Sequence, residues 1–564
     1  MFLGNPSRNQ AFRREERFCG RRRRVASSSC GRQRWFSGGF KMAKNFVKGT
    51  GRSDYLLGTL WHDMLIGRAG DDSLLGDGDI NRGDGEKARL QGAADALLGN
   101  TGNDTLWGDG RVAAGTFNAE ALLFGGHDLL HAGAGDDVLY GDGTTEVLEY
   151  GASSGLRGGR DLLHGGAGND EIRGDGTAIA GPGAQQGWIE GGADTISGGS
   201  GNDMIYGDGT VQAVVSTAAV VTGGADLIDG GAGDDTIYGD GVAGGGSFGS
   251  GRLNGGRDTL NGGSGNDELY GDGLGFNGSF AGGNDKIFGG HGDDTIYGDG
   301  YTFDARIVGG HDDIGGGSGN DIIVGDGLAD AGARHHPGVA ELEGGDDRIR
   351  GGTGNDLVLG DGRAKCNGDS VVNGGADRIN GGRGSDTIYG DGEVEGRSSA
   401  VLKGGNDTIH GGDGRDTIYG DGTINAEFGD QPFGQVELLG GADRVTGGKG
   451  DDVLWGDGAV SEGTETAITG GADSFILNLG DGRDRIMDFR SGDGDIIHFE
   501  TEKLAWADLD TDGNGMLDTA DRFVSVEDDS IRIDYGRAAG SRLGQDLLTL
   551  TDVTALTEGD FLFT

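Results

Sequence analysis

The sequence predicts an all-β solenoid, a stack of short strand-and-turn units in place of a set of globular domains. Three observations carry this. Glycine supplies 128 of 564 residues, about three times its usual share of roughly 7%. One block returns along nearly the whole chain from Gly49. Within each block, aspartates recur nine residues apart, as Asp194 and Asp203 or Asp226 and Asp235 do. Composition also excludes classes. With 4 prolines and no Gly-X-Y period the chain is not collagen. A net charge of −47 argues against nucleic acid and anionic membrane surfaces as partners. No run of 18 apolar residues exists to make a transmembrane helix.

Residues 1–41 stand apart in composition. They hold 11 basic residues, including Arg21 to Arg24, only Glu15 and Glu16 as acids, and two of the three cysteines, Cys19 and Cys30. The basic run lacks the apolar stretch of a secretory signal. It reads as a gene-model extension ahead of a true start at Met42, or as a disordered basic arm. From Met42 the chain has 35 basic and 91 acidic residues, and Cys366 is its single thiol. That leaves no intrachain disulfide framework.

Residues 42–66 read as degenerate repeats leading into an array at 67–469. The block from Gly191 reads GGADTISGGSGNDMIYGDG, and the blocks from Gly223 and Gly255 follow it closely. Successive GDG aspartates, from Asp77 to Asp457, lie 27 to 36 residues apart. The inner unit is GGxGxDxUx with U aliphatic. Glycine supplies the positive-φ backbone of a tight turn, and the D-x-U-x tail alternates as a strand does. One inward side chain per unit cannot form a core, so stacking is obligatory. GDG, a variable insert and GGAD together read as one half-turn interrupted by an insert of roughly 9–18 residues, and parity puts every insert on the same edge. The inserts differ freely, from aliphatic (Val211–Val221) to Gly/Ser-rich (Gly244–Arg252), and no common role is assigned to them.

This nonapeptide resembles the RTX, or haemolysin-type, calcium-binding repeat. The resemblance implies a parallel β-roll that binds Ca²⁺. The expected fold is therefore an all-β parallel β-roll solenoid of about 13 coils, on the order of 60 Å long at roughly 4.8 Å per coil, with loop insertions on one edge and a small C-terminal cap. Stacked coils bring aspartate over aspartate. Two bare carboxylates about 5 Å apart repel by roughly 1 kcal/mol in water and by several at a protein surface. A hard cation with 6–8 oxygen ligands removes that repulsion, and glycine carbonyls can complete its shell. On the regular edge the expected ligands are Asp104, Asp137, Asp170, Asp203, Asp235, Asp267, Asp294, Asp321, Asp356, Asp386, Asp416 and Asp452. On the interrupted edge they are Asp128, Asp161, Asp194, Asp226, Asp258, Asp285, Asp312, Asp347, Asp377, Asp407 and Asp443. The GDG aspartates could be ligands or turn residues. Zinc fits poorly, because the 10 histidines lack ligand spacing and the adjacent His335-His336 sit in an insert. Trp107, Tyr140, Tyr206, Tyr238, Tyr270, Tyr297, Tyr389, Tyr419 and Trp455 follow the inward aliphatic. They read as a cross-strand aromatic ladder, with a flat binding face as the alternative.

From Gly470 the grammar changes. Asp473-Ser-Phe475, Asp484-Arg-Ile486, Asp488-Phe489 and the terminal Asp560-Phe-Leu-Phe-Thr564 resemble the C-terminal module of serralysin-type proteases. That implies a cap over 470–564 with an uncleaved signal for export through a Gram-negative type I apparatus. Within it Asp510, Asp512, Asn514, Met516, Asp518 and Asp521, with Gly515 at the turn, match an EF-hand loop whose twelfth position is Asp in place of Glu. Glu502–Leu509 before it looks helical, and Ile531-Arg-Ile533 after it looks like strand.

The protease string H-E-x-x-H is absent. Gly151–Gly155 and Gly245–Gly249 match the nucleophile-elbow string by chance, since that motif needs a strand–turn–helix. Arg82-Gly83-Asp84 and Arg173-Gly174-Asp175 are chance adhesion tripeptides. The expectation is a secreted, extracellular, calcium-binding protein with a structural, adhesive or cell-surface role, not an enzyme. Its partners would be calcium ions, the export apparatus and a cell-surface or matrix component. The rivals are a hydrolase-like site built from inserts, or a subunit beside a separate catalytic chain.

Overall fold

A computed structural model describes residues 45–564 apart from 83–86, 116–118, 148–152, 215–216, 246–248, 304–305, 332–338, 397–398, 427–435, 462–466 and 542–545. The readings of residues 1–41, Gly83-Asp84, Ser247 and His335-His336 lie outside the described residues. Elsewhere the fold is a stack of parallel coils, and the coil from Gly191 shows the plan. Thr195–Ser200 and Met204–Tyr206 form two strands of the roll, Gly209–Ala213 and Ala218–Thr222 two strands of the insert. Each pairs in register and in parallel with its counterpart one coil on, as Thr195 with Leu227 and Ile205 with Ile237.

The roll is built as its sequence dictates. In Thr195–Ser200 only Ile196 and the glycine two residues on point inward, and Ile205 meets Ile196 from the opposite strand. Repeated along the axis, these residues form one continuous core that includes Leu130, Leu163, Ile228, Ile296 and Ile388, each fully buried. The turn between the two strands places Gly199 at φ +116° and Gly201 at φ +121°, where a side chain is strained. Outside the roll the aromatics stack as a ladder. Ring centroids lie 5.0, 4.8 and 4.9 Å apart along Tyr206, Tyr238, Tyr270 and Tyr297, and Tyr389, Tyr419 and Trp455 form a second run. Arg173 takes the aromatic position in one coil. Its guanidinium lies 5.3 Å from the Tyr140 ring and 5.0 Å from that of Tyr206, continuing the ladder as a cation–π contact. Val324 and Leu359 stand in ladder positions between the two runs.

The inserts are where the structure departs from the reading of the sequence. All leave the same edge, as parity requires, but they are not free loops. Their strands stack into two further parallel sheets of 13 strands each, enclosing a second core. Val211, Ala219 and Val221 lie in it beside Ala243, Leu253 and Ile189. Every described insert places an aliphatic or aromatic residue two positions before the returning glycine pair, as Leu90, Leu123, Leu156, Ile189, Val221, Leu342 and Leu402 do. A small or aliphatic residue lies two positions after GDG, as in Val112, Ala178, Val211, Ala329 and Val394. Four positions before the glycine pair, Ala121, Ala219, Ala340 and Ala400 are buried in the same core.

The C-terminal segment closes the solenoid. Ser474–Leu477, Ile496–Phe499 and the terminal Phe561–Phe563 extend one roll sheet in parallel. The other sheet continues through Arg483–Ile486 and Leu547–Leu550, then turns antiparallel through Ser530–Ile533 and Val524–Glu527. Phe475, Phe499, Tyr535 and Leu509 fill the end of the core. Among the described residues helix is confined to single turns, Trp506–Leu509, Tyr535–Ala538 and the 3-10 turn Glu558–Asp560, so the helical flank is shorter than the sequence suggests.

A packed insert lobe predicts that Leu342→Ala, at a fully buried position, lowers stability at fixed calcium by about 2–5 kcal/mol. Ile349→Ala in the roll core should cost a similar amount. Denaturant titration of both variants checks this, and no loss for Leu342→Ala would mean the lobe contributes nothing to the fold.

Candidate metal centre

The regular edge carries one aspartate per coil, and the backbone decides its orientation. The Oδ1 of Asp203 accepts the N–H of Asp170 at 2.8 Å, and the Oδ1 of Asp235 accepts the N–H of Asp203 at 2.8 Å. The pattern runs from Asp104 through Asp137, Asp170, Asp203, Asp235, Asp267, Asp294, Asp321, Asp356, Asp386, Asp416 and Asp452, none more than 2% exposed. In each the Oδ2 has no hydrogen-bond partner. One oxygen is therefore fixed by the neighbouring coil, and the other is held in place, buried and unused. A β-carbon on Gly198 would run into both that free oxygen of Asp203 and the carbonyl of Gly230, so glycine leaves the two side by side.

The interrupted edge has the same ladder. Asp194 donates its N–H to Asp226 Oδ1 at 2.6 Å, and Asp226 donates to Asp258 Oδ1 at 2.7 Å. Asp128, Asp161, Asp285, Asp312, Asp347, Asp377, Asp407 and Asp443 continue it, at 4% exposure or less and with Oδ2 again unpartnered. Because the insert lobe packs beyond this edge, it is a waist between two cores, not a rim. The GDG aspartates line the same waist. Asp208 accepts the N–H of Gly224 across the neck of its own insert at 3.1 Å and is fully buried. It serves as a turn clasp through Oδ2 while its Oδ1 is unpartnered.

Burial drives these carboxyls upward, Asp386 and Asp285 by burial alone, and in others such as Asp203 and Asp226 the charges of neighbouring aspartates add to it. On the regular edge Asp203 and Asp235 rise to about 7, Asp137 and Asp170 to about 6. At the waist Asp208, Asp226 and Asp240 lie well above the ordinary range, from burial first and then from nearby aspartates, Asp226 acting on Asp208 and Asp258 on both Asp226 and Asp240. Ionised and unpaired, such a column cannot be held in a low-dielectric interior. Either protons or cations must fill it. Fixed carboxylate and carbonyl oxygens, with no nitrogen or sulfur among them, are the donors of a hard cation such as calcium.

In the cap, carboxylate oxygens of Asp510, Asp512 and Asp521 converge within 4.8 Å. Gly513 and Gly515 take φ +71° and +84°, allowing the loop to turn its N–H groups onto Asp510, whose Oδ1 accepts from Gly513 at 2.9 Å and Oδ2 from Gly515 at 3.0 Å. Asn514 Oδ1 accepts the N–H of Met516, which opens a short strand paired with Leu556–Thr557. Asp518 accepts from Ala520 and stands outside the converging trio.

A parallel β-solenoid with buried, half-satisfied carboxylates at each turn defines a calcium-binding roll. Stretches 48–82, 91–110, 124–153, 157–177, 190–209, 220–242, 253–273, 281–300, 343–362, 371–393, 403–424 and 439–459 match the family described as the RTX calcium-binding nonapeptide repeat. The chain belongs to this family. The coil with Asp312 and Asp321 falls between matched stretches, yet its ladder bonds are the same, at 2.7 and 2.9 Å. No curated protein matches the chain.

The folded edge carboxyls hold protons up to about pH 6–7, whereas an unfolded chain releases them near 4. Between those values the calcium-free fold binds more protons than the unfolded chain, so its stability is highest below about 4 and is lost as pH rises through 6–7. In excess chelator, strand-type circular dichroism should therefore grow as pH falls from about 7 to 4. A flat response would show that carboxylate charge is not what opposes folding.

Proposed function

We propose that this is a secreted structural or adhesive protein that is kept from folding by its own carboxylates where calcium is scarce and folds where calcium is abundant. The orphaned buried aspartate oxygen repeated in each coil carries this reading. At sub-micromolar calcium and neutral pH the carboxylates stay ionised and solvated on an unfolded chain; at millimolar calcium each ion offsets two charges and joins adjacent coils. A chain that does not fold before export suits one-step type I passage. The cap, whose residues resemble the serralysin-type C-terminal module, supplies the address and afterwards the end of the roll. The role is non-catalytic. Ser153, in the first nucleophile-elbow string, opens the strand Ser153–Arg157 and not a strand–turn–helix, and Arg173-Gly174-Asp175 is buried in the roll at 8% exposure or less at both charged ends.

Two measurements test this. Circular dichroism should show strand formation only above roughly millimolar calcium, reversed by chelator; a chain equally folded in chelator at pH 7 sinks the reading. Fusing residues 470–564 to an unrelated reporter should give its export in a strain with a type I apparatus. Retention of that fusion would leave the calcium-dependent fold standing but remove the export route.

A further inference from the structure

The insert lobe changes what the interrupted edge is. On the regular edge a cation would sit at the rim. At the waist it would be enclosed by two hydrophobic cores, and the GDG aspartates add ligands that the nonapeptide alone does not contain. Around one level, Asp226 uses Oδ1 to accept the N–H of Asp194 at 2.6 Å, Asp208 uses Oδ2 for Gly224 at 3.1 Å, and Asp240 uses Oδ2 for Gly256 at 3.0 Å. The remaining oxygen of each is unpartnered, and the three residues are 3%, 0% and 0% exposed. Carboxylate oxygens of these three converge within 4.8 Å, and the same convergence recurs at Asp240, Asp258 and Asp272, at Asp109, Asp128 and Asp142, and at Asp142, Asp161 and Asp175. The charges acting on Asp208, Asp226 and Asp240 are those of further aspartates, not of lysine or arginine. A β-carbon on Gly239 would overlap the carbonyl of Gly271 and meet Asp258 Oδ2, so the leading glycine of GDG lets another oxygen approach.

We propose that these levels of the waist form a second class of calcium site, each bound by the GDG aspartates of two successive coils and the roll aspartate between them, and that this enclosed ion column clasps the insert lobe to the roll. The proposal rests on the calcium reading above and adds the GDG aspartates to its ligands. A GDG aspartate is shared by two levels, so neighbouring ions are linked through common carboxylates. Enclosure predicts slow exchange. An ion at the rim can leave through solvent, whereas one at the waist must wait for the lobe to open.

The test uses the full chain and calcium itself. Asp240→Asn preserves a side chain that can still accept the Gly256 N–H while removing a charge shared by two levels; Asp235→Asn does the same on the regular edge. After gel filtration at fixed free calcium, bound calcium is counted by atomic emission and its release followed by radioactive-calcium exchange. Wild type should show a fast and a slow class. Asp240→Asn should lose one or two ions from the slow class, and Asp235→Asn should lose from the fast class. Asp109→Asn, near the start of the array, repeats the test where stacking leaves most coils undisturbed. An unchanged ion count and unchanged slow class in both Asp240→Asn and Asp109→Asn would overturn the proposal and leave the regular-edge sites standing. A wild type that binds no calcium in the array would remove both.

Discussion

The structure depends on a backbone N–H of one coil bonding to the aspartate side chain of the next. Asp170 to Asp203 to Asp235 on one edge, and Asp161 to Asp194 to Asp226 on the other, each fix one carboxylate oxygen in this way. The bond sets the register between coils and seals each turn, but it also stacks carboxylates in columns with the second oxygen buried. Stability and instability therefore come from the same side chain. The columns must be filled by protons or cations, and on the function proposed above folding and calcium binding become one event.

That constraint explains the glycine content more closely than turn formation alone does. Some glycines, such as Gly199, are needed for positive φ. Others, such as Gly198 and Gly239, are needed because the next coil's carbonyl and a carboxylate occupy the place of a β-carbon. With backbone and carboxylates so close, little room remains for a conventional core, and each coil buries a single aliphatic pair such as Ile196 and Ile205. The insert lobe compensates by adding a second narrow core, and the two share the aspartate-lined waist. The ends need other solutions. At the C-terminal end antiparallel strands and the aromatic cluster of Phe475, Phe499 and Tyr535 stop the parallel stacking.

Much of this was readable in the chain because it repeats at short range. The nine-residue spacing places Asp194 and Asp203 on opposite edges, the inward Ile196 and Ile205 follow from alternation, and the aromatic ladder follows from Tyr206 recurring as Tyr238 and Tyr270. The converging Asp510, Asp512 and Asp521 were likewise visible as a local motif. The insert lobe was missed because its inserts look unlike one another when compared whole. The signal was there at fixed offsets, with Val221 or Leu342 two residues before the glycine pair and Val211 or Ala329 two after GDG, but those positions become partners only when coils stack. Arg173 in the aromatic column was equally invisible, since its role depends on the rings of Tyr140 and Tyr206 above and below it.

The sequence by itself determined the repeat, the strand and turn positions, the two aspartate columns and their demand for a hard cation. These are set by local periodicity and by the chemistry of carboxylates and glycine. Only the tertiary structure decided that the interrupted edge is an interior. Segments separated by about one coil meet there to form a second core, and that burial brings the GDG aspartates against the roll aspartates. Convergence of three carboxylates is a property of stacked coils, and no single repeat contains it.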